Sequence, residues 1–260
     1  MSSLDSTDYS LTINLSSSKR DQLANNGFHL FAFRGVDVKG QNAQPVIWKR
    51  LDDLYETIPI PLTVRYGAFI GPEDQTYIPG STSREINLGQ EMTVDDNTHV
   101  EIIDGPSADA ISIHNTGSKT HTAGISEFDS AKNTFSALCA STLIQQALGE
   151  FTPTQKIAVI FATASKVVGS VIVRSMADGI LVDLTQKHNR TILYDDNGVW
   201  KPDSSDGTQV IKANDVLKDY LINSPTFNQP ALLPYELKIS NRINNLENRV
   251  EIIEACLNKQ

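Results

Sequence analysis

A period of two dominates the chain from Tyr9 to about Ile125, and a run of alternating apolar residues can bury one face only as a β-strand. In YSLTINLS, Leu11, Ile13 and Leu15 fall on one face and polar residues on the other. FHLFAF sets Phe28, Leu30 and Ala32 against His29, Phe31 and Phe33. Between them, SSSKRDQLANNG supplies a serine N-cap, a short helical turn and Gly27 as its stop. PVIWKRL and TIPIPLTVRYGAFI read as extended, with Pro59 and Pro61 alternating with isoleucines. Proline donates nothing to a ladder, so that stretch is expected at a sheet edge or as a covering strap. REINLGQEMTV, HVEIIDG and DAISIHNTG continue the series, and ISIHNTGSKTHTAGIS reads as a hairpin turning at Asn115–Lys119.

The spacing changes at 134–150. Leu138, Leu143, Ile144, Ala147 and Leu148 recur at near-helical intervals between a Ser136 cap and a Gly149/Pro153 stop, which predicts a helix joining two β halves. Beyond it, KIAVIFA is apolar at nearly every position, as a strand covered on both faces should be. GSVIVRS, GILVDLT and RTILYDDNGVW follow as strands, with Asn197–Gly198 suited to a tight hairpin. NDVLKDYLINSP reads as a short helix capped by Asn214 and ended before Pro225. The fold class expected is mainly β: a sandwich-like body, one large or two small, with a C-terminal α-helical coiled coil. The divisions expected are 1–125 (first β domain), 126–222 (second β half with its connecting helix), 223–235 (proline-rich linker) and 236–260 (oligomerisation helix).

That last division rests on heptads. With Ile243, Val250 and Leu257 at position a, Ile239, Leu246 and Ile253 fall at d. Arg242 and Arg249 then occupy g, and Glu247 and Glu254 occupy e. In a parallel assembly each g arginine meets a neighbour's e glutamate, whereas an antiparallel one would set like charges together. Isoleucine at both a and d favours three or four strands over two. RINNLE and RVEIIE both fit Arg-h-x-x-h-Glu with h apolar, which resembles the short motif associated with parallel three-stranded coiled coils. The resemblance covers residues 242–254 and implies a homotrimer. Cys256 falls at g near the helix end.

Little in the chain points to catalysis. There is no G-x-S-x-G elbow, phosphate-binding glycine loop or H-E-x-x-H pair. His114 and His121 flank the expected hairpin, where two strand histidines could face one another over a metal, but a solvated strand face accounts for them equally. VDDNTH and YDDNGVW carry calcium-type ligands without calcium-loop spacing, so they read as turns. Asp52–Asp53 and Asp195–Asp196 are adjacent, and on a strand they would point to opposite faces, unsuited to shared acid–base work. Cys139, in an apolar stretch, reads as an inert buried thiol. No cofactor, metal or enzymatic activity is expected.

Trp48, Tyr55, Tyr66 and Tyr77 lie in loop-rich stretches and are the candidate ligand-binding residues, able to stack on sugar rings or enter a lipid headgroup layer. A formal charge of −9 without a basic cluster argues against nucleic acid as a partner. The start MSSLDSTDYS lacks a basic and apolar leader, so cytoplasmic synthesis without a signal peptide is expected, with non-classical release left open. The function expected is a non-enzymatic homo-oligomer, joined through its C-terminal helix, that recognises carbohydrate or another surface. The alternatives are a membrane-active cytolysin-like protein, for which TASKVVGSVIVRS could refold into a barrel strand, and a structural subunit of a fibre, filament or inclusion.

Overall fold

The computed structural model describes residues 9–223. The chain begins with β1 (Ser10–Leu15), α1 (Ser17–Asn25), β2 (His29–Lys39), β3 (Ala43–Pro45) and β4 (Lys49–Leu51). It continues through β5 (Thr57–Pro61), β6 (Tyr66–Gly71), β7 (Arg84–Ile86), β8 (Gln90–Val94), β9 (Val100–Asp104) and β10 (Ile111–Asn115). β11 (His121–Asp129), β12 (Thr134–Ala137), β13 (Cys139–Leu143) and β14 (Leu148–Ala162) follow. The last elements are β15 (Gly179–Asp183), β16 (Asn189–Tyr194), β17 (Trp200–Pro202), β18 (Thr208–Ile211), α2 (Lys218–Leu221) and β19 (Ile222–Asn223). Strands take 51% of the described residues and helices 7%, so this is a mainly β body, and its sheets are curled.

Three sheets form, and each draws strands from both sides of residue 125. The first has the order β17-β16-β1-β5, with β1 parallel to β16 in the register Ile13↔Ile192. The second has nine strands, running β18-β15-β14-β10-β8-β9, with β2 along the other side of β14 and β4 and β19 on β2. The third runs β3-β13-β11-β6-β7, with β12 also on β11. β5 closes one edge of the first sheet, its prolines exposed and Ile58 and Ile60 buried, as its alternating prolines require. α1 is capped by Ser16, whose hydroxyl accepts from the Lys19 amide at 3.1 Å, and Gly27 turns the chain out at φ +68°.

The core explains the alternation and its lapses. β2 is buried on both faces: Leu30, Ala32, Val36 and Val38 join the main core, while Phe31 and Phe33 join a second one. β14 does the same, with Ile157, Val159 and Phe161 on one side and Ala158, Ile160 and Ala162 on the other, which makes KIAVIFA the central strand its composition demands. β2 pairs with one edge of β14 from Glu150 to Ala162, with a register shift between Pro153 and Ile157, and β10 and then β15 share the other. Phe161 at its far end stacks on Trp200 with ring centroids 5.4 Å apart, and Tyr194 closes the group.

Four expectations fail, the least of them the cap of α2, which is Leu217 and not Asn214. No helix forms over 134–150; that stretch makes β12, β13 and the start of β14. Leu138, Cys139 and Leu143 join the main core while Ala137 and Ala140 face a third, so burial on both faces erased the period of two. The chain at 111–126 is no hairpin either: β10 joins the nine-stranded sheet and β11 the six-stranded one. TASKVVGSVIVRS forms no regular strand, but an irregular strap that bridges from Ser170 to Tyr77, Val171 to Val46 and Arg174 to Val216, with further backbone bonds to Pro45, Ile47, Thr76 and Ile78. The heptad positions from Ile239 to Leu257, with Cys256 and the proline-rich linker, lie outside the described residues.

Candidate functional site

Arg34 is the polar interruption in the core face of β2, in line with Leu30, Ala32, Val36 and Val38, and it is 1% exposed. Facing it, Glu127 ends the row Ala123, Ile125, Glu127 on β11 and is equally buried. The Arg34 guanidinium donates through Nη1 to Glu127 Oε2, and through Nε to the Thr154 carbonyl at 2.9 Å. Glu127 Oε1 accepts from the Thr63 amide at 2.9 Å. Burial pushes the Glu127 carboxyl up, while Arg34 and the Thr63 amide pull it back. The pair clamps two sheets across the main core.

Two of the four candidate aromatics belong to this cluster. The Trp48 ring lies against Arg34, whose guanidinium carbon is 5.9 Å from the ring centroid, and Lys49 Nζ stands 4.4 Å from the same centroid. Burial raises the Tyr66 hydroxyl, and Arg34 acts against that shift. Trp48 at 1% and Tyr66 at 7% exposure are core residues with no surface to offer a sugar ring. Tyr55 and Tyr77 are exposed at 63% and 49%. They lie on separate segments, and Tyr77 bridges to Ser170 on the strap. Sequence reasoning missed Arg34, Lys49 and Glu127, because residues 93 positions apart carry no local signature of pairing.

A second cluster is built from loops. β8 and β10 end together, with Val94 opposite Asn115, and β14 starts beside them, with Leu148 opposite His114. In the neighbouring sheet β11 starts with His121 opposite Leu143 and Thr122 opposite Gly71. The loops leaving these ends are tied to one another. The Asn115 side chain, fully buried, donates to the carbonyls of Lys119 at 2.6 Å and Ile144 at 3.0 Å. Gln146 Nε2 donates to the Gly117 carbonyl at 3.2 Å, the Thr116 amide to Val94 at 2.8 Å, and the Gln75 amide to the Thr122 hydroxyl at 3.1 Å. Asp74, Thr98 and Gln146 hold φ of +57°, +60° and +56°. Such backbone costs roughly 1–3 kcal/mol per residue and persists where its surroundings over-determine it. Ile144, Gln145, Gln146, Asp96, Ser118 and Lys119 present the exposed face.

Asp95-Asp96-Asn97 and Asp195-Asp196-Asn197 make the same turn. The first aspartate accepts from the amides two and four residues on, at 2.9 Å and 2.9 Å for Asp95, and 3.0 Å and 2.9 Å for Asp195. The second reaches away: Asp96 accepts from Ser118 and Asp196 from Ser16 and Ser18, and these bonds hold both carboxyls below their ordinary range. Both segments are therefore turns, as their composition implies. His114 Nδ1 stands 3.1 Å from Glu91 Oε1, and His121 belongs to another sheet, so the structure does not bring the two histidines together as a hairpin pair. Among the described residues no group of three or more His, Cys, Asp or Glu side chains is placed to hold a metal, and no helix is long and apolar enough to cross a membrane. Comparison with protein-family models, with curated proteins and with solved structures found no match.

Proposed function

We propose that this chain is a non-enzymatic, multivalent binding or adhesion protein: a sandwich-like β body carried on a C-terminal parallel coiled coil, three copies to a particle. The observation that carries the reading is the pinned loop end. Loops from two sheets are fixed by side-chain bonds from Asn115, Gln146 and Thr122 before any ligand arrives. A surface that is already ordered loses little entropy on binding. Its exposed amide, carboxylate and hydroxyl groups, beside the apolar Ile144, suit the hydroxyls and ring faces of a carbohydrate. Three weak sites on one particle then gain avidity by effective concentration.

A glycan array probed with the full chain tests this, alongside the variant Gln146→Ala and a truncation ending near Pro234. Binding that falls with Gln146→Ala, and falls again on truncation with loss of the trimer mass, supports the reading. An array without signal, or binding indifferent to both changes, rejects it.

One observation favours a membrane-active reading as the second. The strap 163–178 forms no regular strand and exposes Val167 and Val173 at 48% and 51%, although backbone bonds tie Gly169–Ile172 to Pro45, Ile47, Thr76 and Ile78. Release of dye from lipid vesicles by the purified protein would decide for it. Regular fibres or particles in concentrated protein without ligand would point to the structural-subunit alternative.

A further inference from the structure

Arg50 on β4 joins segments that lie far apart in the chain. Its Nε donates to Asp52 Oδ1 and its Nη1 to the Lys166 carbonyl, each at 2.6 Å. Its Nη2 lies 3.2 Å from His29 Nε2, at the start of β2. The guanidinium carbon rests 5.8 Å from the centroid of the Phe31 ring, which belongs to the second core. Lys166 sits in the limb 163–168 that opens the strap. Among the described residues, Arg50 is the one side chain outside the strap that hydrogen-bonds to this limb. From Gly169 onward the strap needs no such help, because backbone bonds tie it to Pro45, Ile47, Thr76 and Ile78. Ala164 and Val168 of the limb are half-buried against the second core, while Thr163, Ser165, Lys166 and Val167 are exposed.

The contact with His29 settles where its ring proton sits. Arginine carries donors only, so Nε2 offers its lone pair and the proton is assigned to Nδ1. Nδ1 stands 2.9 Å from Asp52 Oδ1, an ion contact and not an aligned hydrogen bond. Arg50 and Asp52 are the charged groups on the ring; Phe31 meets it edge-on at 6.3 Å, and β14 opposes it with Ala162. A second proton would sit on Nε2 and point at Arg50, setting two donors and two positive charges face to face. Asp52, at the surface, pairs with the imidazolium whether Arg50 stays or leaves, so it does not decide between the two positions.

We infer that His29 and Arg50 form an acid-released latch on the strap. Neutral His29 holds Arg50 against the Lys166 carbonyl. Protonated His29 drives Arg50 off, and the limb 163–168 lifts, taking Ala164 and Val168 from the second core. Protonation and the closed latch oppose one another. The latch therefore holds above the range in which histidine takes up its proton, and opens as pH falls through it. This device is independent of the loop end and survives or fails without it.

Limited proteolysis of the folded full chain tests it. Proteinase K is applied at about pH 8 and about pH 5.5, on either side of the histidine range. Cuts are located by mass spectrometry, and those within 163–168 are scaled at each pH to cutting in the exposed turn 130–133. Cutting within 163–168 is expected to be several-fold faster at the acid pH. His29→Gln, whose amide oxygen can accept from Arg50 without taking up a proton, should be cut slowly at both. Arg50→Gln, which loses the fork that reaches His29 and Lys166 together, should be cut fast at both. Equal rates at the two pH values in the parent overturn the inference. So does an acid rise that persists in His29→Gln, or an Arg50→Gln protein that resists cutting at pH 8.

Discussion

Replacing Glu127 by leucine removes the acceptor of a guanidinium that has no route to water, since Arg34 is 1% exposed. Breaking a buried pair from one side costs about 3–5 kcal/mol, because a charge is left uncompensated in the core. The Thr63 amide also loses its acceptor at 2.9 Å, adding about 1 kcal/mol. For a body of this size each kcal/mol moves the midpoint by about 2–4 °C, so Glu127→Leu should melt roughly 8–24 °C lower. Arg34→Met should cost a similar amount, leaving Glu127 stranded. Arg34→Met with Glu127→Leu buries two apolar side chains where two charges stood, and should recover most of the loss, ending within about 1–2 kcal/mol of the parent. Urea unfolding followed by tryptophan fluorescence suits the measurement, because Trp48 and Trp200, the two tryptophans of the chain, are both buried. Protein concentration must be held fixed, since association would shift the midpoint by mass action. A single substitution costing below about 1 kcal/mol, as an exposed pair would, or a double whose cost is the sum of its singles, would refute the reasoning.

Other outcomes follow from the same structure. The Cys139 thiol, pushed up to about 12 by burial, should resist iodoacetamide at pH 8 in the folded protein and react fully in urea, as read by mass mapping. Gly124→Ala should destabilise by about 1–3 kcal/mol or more in urea unfolding, because a methyl there overlaps the Cys139 carbonyl oxygen and the Phe69 ring, and a backbone atom cannot step aside. Asp96, Asp195 and Asp196 have carboxyls held below their ordinary range, chiefly by Ser118, Lys201 and Ser16 respectively. A depressed folded value means stability that is present above the ordinary carboxylate range and lost as pH falls through the folded values. Urea midpoints should therefore drop in that acid window, and less steeply in Asp96→Asn with Asp196→Asn; equal slopes would count against these bonds.

How much of this was legible beforehand depended on burial. Where one face of a strand meets the core and the other is open, as in β1 and β5, the residue pattern names the element, and for β5 its prolines also mark its place at the edge. Where both faces are covered, as in β12 and β13, apolar residues arrive in runs whose spacing imitates a helix. Corners are illegible for another reason. Asn115-Thr116-Gly117 would turn a hairpin as readily as it carries the chain from one sheet to the next, and the difference lies in what β10 and β11 pair with far away. The clamp of Arg34 on Glu127 was beyond sequence reasoning altogether. Of the four aromatics singled out, two proved to be wall material, because a tryptophan beside prolines looks the same whether it faces inward or out.

β14 begins at the pinned loops and ends under Trp200, fifteen residues later, with β2 paired to it over Glu150–Pro153 and again over Ile157–Ala162. Tension applied along that axis loads the rungs of each block in shear, so those within a block must give way together rather than unzip one by one. A molecule that holds on by the loop end and is tugged from the opposite pole would thus meet the pull with its stiffest member.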